Sequence, residues 1–184
     1  MTTRRSAPLV RRPRGRATAA APQVALLVVL ALVVAACGGG GGGAALPEVA
    51  LDRLDGSGSV DLAASDGTPR VVNLWATWCV PCRRELPAFD EVAAAAGDEV
   101  EILGVNVGDG PDAASELVDE LGLTFPQLLD RDSEVTAALE VTNMPSTAFV
   151  DGDGEVVEVH AGALDAEELR AAIAEDLGVE VPAG

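Results

Sequence analysis

From Val71 onward the chain alternates short apolar runs with amphipathic ones, and that alternation leaves few folds open to it. "VVNLWA", Val71 to Ala76, is apolar on both faces except at Asn73. Such a run predicts a central strand covered on both sides. The pattern then predicts a helix over 80–96, containing Pro87 and stopped by Gly97. "EILGVNV", Glu101 to Val107, predicts a second central strand. Residues 111–122 open with Pro and close with Gly, the punctuation of a helix. A short strand over 125–130 follows, then a short helix over 132–140 capped by Asp132 or Ser133. Residues 146–162 read as a hairpin turning at Asp151 to Gly154. Residues 165–178 close the chain as an amphipathic helix with a capping-box start at Asp165 and Glu168. Ahead of the alternation, residues 49–64 predict two short strands around "DGSGS". Strands separated by helices imply a parallel component, and the hairpins make the sheet mixed. The expected class is α/β, a mixed sheet flanked by helices with an N-terminal β-hairpin.

Two of the three cysteines, Cys79 and Cys82, fall where the first central strand gives way to its helix. Cys79 then sits at the helix N-terminus. The dipole and the unpaired N–H groups there stabilise a thiolate. Cys82 lies on the same face one turn later. The expected division of labour makes Cys79 the solvent-facing attacker and Cys82 the resolving thiol. Pro81 between them stiffens the turn and removes a donor. A structural zinc site fits less well, since it needs four ligands and this domain offers two cysteines and His160. A staple across four residues removes little chain entropy.

The first 36 residues carry six arginines and no acid, followed by the apolar run "VALLVVLALVVAAC", Val24 to Cys37. A basic start, a short apolar stretch and small residues at its end predict a secretory signal. Val34, Ala35 and Ala36 before Cys37 resemble the lipobox of bacterial lipoproteins, which implies a lipid on the Cys37 sulfur and cleavage before it. An uncleaved signal anchor is the alternative. In either case the arginines stay inside, and everything after Cys37 lies outside the cell membrane. Six glycines, Gly38 to Gly43, then predict a flexible tether. The expected organisation is a signal peptide over 1–36, a tether over 37–47 and one domain over 48–184. All 30 acidic residues and only 6 arginines lie beyond position 36, a formal balance of −24. Such a domain lacks the basic footprint that nucleic-acid binding needs.

"WATWCVPCRRELP", Trp75 to Pro87, resembles the active-site stretch of thioredoxin-fold proteins of the TlpA/ResA type, membrane-tethered extracytoplasmic thiol-disulfide oxidoreductases. "VTNMPSTAFVDGDGEVV", Val141 to Val157, resembles their cis-proline loop and the hairpin after it. Residues 108–130 match the helix–strand insert that separates them from plain thioredoxins. The resemblance implies a thioredoxin-like fold and a redox-active Cys79–Cys82 disulfide with no further cofactor. It implies disulfide-containing clients, often apocytochrome c, and electrons from a membrane thiol-disulfide transporter of the CcdA/DsbD type. It places the cis bond at Pro145, which brings Met144 beside the cysteines to meet an extended client chain. Many relatives carry a β-branched residue at the Met144 position. It assigns Glu85, three residues past Cys82, as the active-site acid; a plain helix-surface glutamate is the alternative. Asn73 stands where ordinary thioredoxins carry a buried Asp, and reads as a satisfied core amide. Trp75 reads as core, and Trp78 as a partly exposed lid over the sulfurs.

Two other readings remain at this point: a Cu(I) carrier using Cys79, Cys82 and Met144, all soft ligands, and a peroxide-reducing enzyme on the same fold. Neither "DGDGE" nor "DRDSE" is a calcium loop, because Gly162 and Val141 stand where the twelfth-position Glu belongs. "GDGPD", Gly108 to Asp112, is too short for a phosphate loop.

Overall fold

The computed structural model describes residues 46–184. The expected signal peptide, Cys37 and the glycine run lie outside the described residues. Seven strands form one sheet in the order β2-β1-β5-β4-β3-β6-β7. The two central strands are those of the sequence pattern: β3 (Arg70–Trp75), and β4 (Glu101–Val107), parallel to it in a register that pairs Val72 with Leu103 and Trp75 with Asn106. Both are buried along their length except at Arg70 and Glu101, their first residues. Those two ends are held together by the Arg70–Glu101 ion pair at 2.5 Å.

The edges come from the hairpins. At one end β1 (Ala50–Arg53) pairs antiparallel with β2 (Ser59–Asp61) and with β5 (Gln127–Asp130), which runs parallel to β4. At the other, β6 (Ser146–Val150) pairs antiparallel with β3 and with β7 (Val156–Ala161). The mixed, helix-flanked sheet expected from the alternation is the one observed.

Helix α1 (Val80–Ala96) runs through Pro87, whose ring is exposed. Its buried stripe is Cys82, Glu85, Leu86, Phe89, Val92 and Ala96, one face of a 3.6-residue period. That stripe packs on Val71, Trp75 and Phe149 together with α2 (Pro111–Leu121) and α4 (Ala166–Ala172). On the other face, Leu51, Val72, Leu74, Leu103 and Leu128 pack with Val135 of α3 (Glu134–Ala138). The capping box at Asp165 and Glu168 forms, and α4 continues as a π-helical turn, Ile173–Leu177, ended by Gly178.

One cap differs from expectation. Ser133 occupies the N-cap of α3 but makes no side-chain bond to the helix. The carboxylate of Asp130, at the end of β5, accepts from Glu134 N (2.8 Å) and Val135 N (3.1 Å) instead. Ser133 has φ +58°, so the chain doubles back there and brings the helix start onto Asp130.

Candidate active site

Strand β3 ends at Trp75, and the four residues that follow carry the chain to the start of α1. They are pinned from below by one side chain: Asp109 accepts from Thr77 N (2.6 Å) and Thr77 Oγ1 (3.0 Å) while Asn106 Nδ2 donates to it (2.8 Å). Trp75 is held in turn. Its indole N–H donates to Gln127 Oε1 at 2.9 Å. The Gln127 side chain crosses β4 at Gly104, where an added Cβ would overlap its Oε1 and come within 2.7 Å of its Cδ. A glycine inside a buried strand thus makes room for a side chain from the neighbouring one.

Cys79 is the N-cap residue of α1 and is disulfide-bonded to Cys82, with the Cα atoms 5.3 Å apart. Its Sγ accepts from Cys82 N at 3.2 Å. When the bond is reduced, the same N–H and the helix dipole favour negative charge on that sulfur. Cys79 does not stand open to solvent as expected. It is 3% exposed and Cys82 is fully buried, because the disulfide ties Cys79 down onto the first helical turn. The exposed rim is apolar: Trp78 (69%), Val80 and Pro81. Trp78 is more open than the partly covered lid inferred from the sequence.

The Met144–Pro145 peptide is cis. Ser146 opposes Leu74 across the β3–β6 pair, so Pro145 lies at the end of β3 from which the cysteine loop departs. Pro145 is buried and its carbonyl accepts from Gly162 N at 3.0 Å. Met144 is half-buried and touches the cores on both faces of the sheet.

Glu85 is 3% exposed, not a surface residue. Asn73 Nδ2 donates to its Oε1 (2.9 Å) and Leu164 N to its Oε2 (3.1 Å). Burial pushes its carboxyl from 4.5 up to about 7, against the two donors, which pull it down. Asn73 is not the satisfied amide expected of it: it is a partner of Glu85, and its Oδ1 has no hydrogen-bond partner among the described residues. Arg83 is turned away to Glu120 (2.7 and 2.9 Å), and Arg84 is exposed. His160 is half-buried on β7, opposite Thr147.

Sequence reasoning passed over Asp109, Gln127 and Gly104. The available signal for Asp109 was an acid just past a buried strand, at the strand end from which the cysteine loop also departs. Gly104 announced a close approach inside a buried strand, though not what approaches.

The Redoxin family model matches residues 42–177, well over half of the chain. The chain belongs to the Redoxin family. This redoxin is 34% identical over 125 residues to the thiol-disulfide oxidoreductase ResA of Geobacillus thermodenitrificans, covering 67% of this chain and 71% of that protein. It is 37% identical over 100 residues to ResA of Geobacillus kaustophilus, covering 54% of this chain and 58% of that one. A secreted disulfide oxidoreductase of Mycobacterium tuberculosis, homologous to E. coli DsbE, superposes with a TM-score of 0.63 at 27% identity, over 70% of this chain and 96% of that one. This redoxin is a thiol-disulfide oxidoreductase of the ResA type, with a thioredoxin-like fold.

Proposed function

We propose that this redoxin works outside the cell membrane, held there by lipid on Cys37, and reduces disulfides of client proteins such as apocytochrome c through Cys79 and Cys82. The observation that carries the reading is a cysteine pair whose first member caps a helix and receives the backbone N–H of the second. In the reduced protein the Cys79 thiolate attacks one client sulfur, and the other client sulfur leaves and takes a proton. Cys82 then attacks Cys79 Sγ: the mixed disulfide breaks, the Cys79–Cys82 bond forms and the second client sulfur is released. The Cys82 proton goes to the buried carboxylate of Glu85, a base matched to neutral pH. Two electrons from a membrane transporter of the CcdA/DsbD type reset the pair. Met144, placed by its cis bond to Pro145, offers backbone to the client chain, and Trp78 and Pro81 offer an apolar rim. The arginine-flanked apolar segment ending in Val34-Ala35-Ala36-Cys37, and a relative described as secreted, support the location.

Reduction of insulin or a disulfide peptide by the fragment from Gly38 onward tests this reading. Cys79→Ser is expected to abolish turnover. A Cys79/Cys82 potential near thioredoxin's, about −270 mV, marks a reductant, and one near −120 mV would reverse the direction assigned here. Stoichiometric Cu(I) binding without dithiol turnover would replace the reading altogether.

A further inference from the structure

Asn73 is fully buried on β3, and both of its hydrogen bonds use the same nitrogen. Nδ2 reaches Glu85 Oε1 at 2.9 Å and Thr147 Oγ1 at 3.3 Å, while Oδ1 faces no donor. A buried amide oxygen left this way costs about 1–3 kcal/mol, so the arrangement needs a reason. The partner supplies one. An ionised carboxylate only accepts hydrogen bonds, whereas a protonated carboxyl must also donate one. The amide as placed suits the ionised form alone. A half-turn of the amide about its last bond exchanges N and O with almost no change in volume. Oδ1 then meets the Glu85 O–H. The hydroxyl of Thr147 accepts in the first arrangement and donates in the second, and in each the far end of the amide is the one without a partner.

We propose that Asn73 is a positioning residue whose amide turns over as Glu85 gains and loses its proton, with Thr147 serving both orientations. The proposal rests on the reading of Glu85 as acceptor of the Cys82 proton. It gives that proton a bonded place to reside at a site closed to bulk water. The surroundings leave the task to Asn73. Leu164 N holds the other carboxylate oxygen in both states. On α1, Arg83 is turned to Glu120 and Arg84 is exposed, which leaves the two cysteines, once reduced, as the ionisable groups one turn before Glu85 on its buried face. Across the sheet, His160 on β7 stands opposite Thr147 in the strand register. Asp165, beside Leu164, is exposed and engaged as the cap of α4. Among the described residues no cation pairs with Glu85. An ionised aspartate in place of Asn73 would accept only, and would repel the ionised Glu85.

Neutron diffraction on the deuterated, oxidised full-length protein near pH 5 and near pH 9 reads the orientation directly. The expected result is ND₂ toward Glu85 at the higher pH. At the lower pH, Oδ1 faces Glu85 and a deuteron sits on the carboxyl. One orientation at both pH values overturns the proposal. Glu85→Gln separates the two readings. Unchanged client release, with amide reversal still seen in the unsubstituted protein, removes Glu85 from the proton path and leaves the turnover of Asn73 standing.

Discussion

Glu85 shows how one buried carboxyl, the proton acceptor of the proposed mechanism, shapes the pH response of the fold. In the folded chain its carboxyl is held near 7, above the 4.5 of an exposed glutamate. Between those values the folded state keeps a proton that the unfolded chain has released, so stability falls as pH rises through the interval. Below 4.5 both states are protonated and there is no cost. Above about 7 the full cost stands, ~3 kcal/mol at 1.36 kcal/mol per pH unit. Glu85→Gln removes the charge and keeps the shape. The oxidised variant is therefore expected to be more stable than the parent above pH 8, with the gain shrinking towards pH 4.5. Urea unfolding of both proteins at several pH values checks this, and a difference independent of pH would contradict the burial argument. Under the proposed mechanism activity moves the opposite way: the variant is expected to resolve the mixed disulfide more slowly. Burying an ionisable carboxyl for such a role costs stability.

At the scale of elements, the cysteine loop is fixed through a neighbouring strand. Trp75 leans on Gln127, and Gln127 has room only because residue 104 is glycine. Gln127→Ala leaves a buried indole N–H without a partner, an expected loss of about 1–3 kcal/mol. Gly104→Ala drives the same side chain out and loses the same bond, with overpacking added. The double variant is then expected to lose the bond once, costing at least ~1 kcal/mol less than the sum of the singles. Additivity within about 0.5 kcal/mol would show that the three residues do not act together. This network also marks the limit of what the chain discloses by itself. Helix α1 was legible to the residue, because Gly97, the apolar stripe and the cysteine turn are local signals. The central strands were legible too, β4 to the residue and β3 within one residue at each end, because their apolar runs have no other place to go. Glu85 was named only through the family resemblance, and its burial was not legible, since a helix-surface glutamate fitted the spacing as well. Nor were the partners. That Gln127 lies over Gly104, that Asn73 meets Glu85, and that Asp130 rather than Ser133 holds α3 all depend on strand register or on a reversal of the chain. No spacing along the sequence encodes those.

The whole molecule carries a charge that its ion pairs do little to relieve. The described residues hold 6 arginines against 30 acids. Three of the arginines are spent on Glu101, Glu120 and Glu91. The acids in excess repel one another across a domain of 139 residues, and compaction brings them closer than they lie in the unfolded chain. Salt acts on both contributions. It weakens the ion pairs, two of which involve largely exposed glutamates and are worth about 0–1 kcal/mol each. It also shortens the screening length from ~30 Å at 0.01 M to about 10 Å at 0.1 M, which removes most of the long-range repulsion. With a formal excess of −24 the repulsion outweighs three pairs. Adding salt at neutral pH is therefore expected to raise the melting temperature of the oxidised domain by roughly 4 °C, or about 1 kcal/mol at this size. Arg70 is the least exposed of the paired arginines and its bond to Glu101 the least screened, so it holds the strand ends together while the surface relaxes. Calorimetric scans from 0.01 to 0.5 M NaCl decide the matter. A melting temperature that falls with salt would mean that the ion pairs, and not the excess charge, govern the stability of the fold.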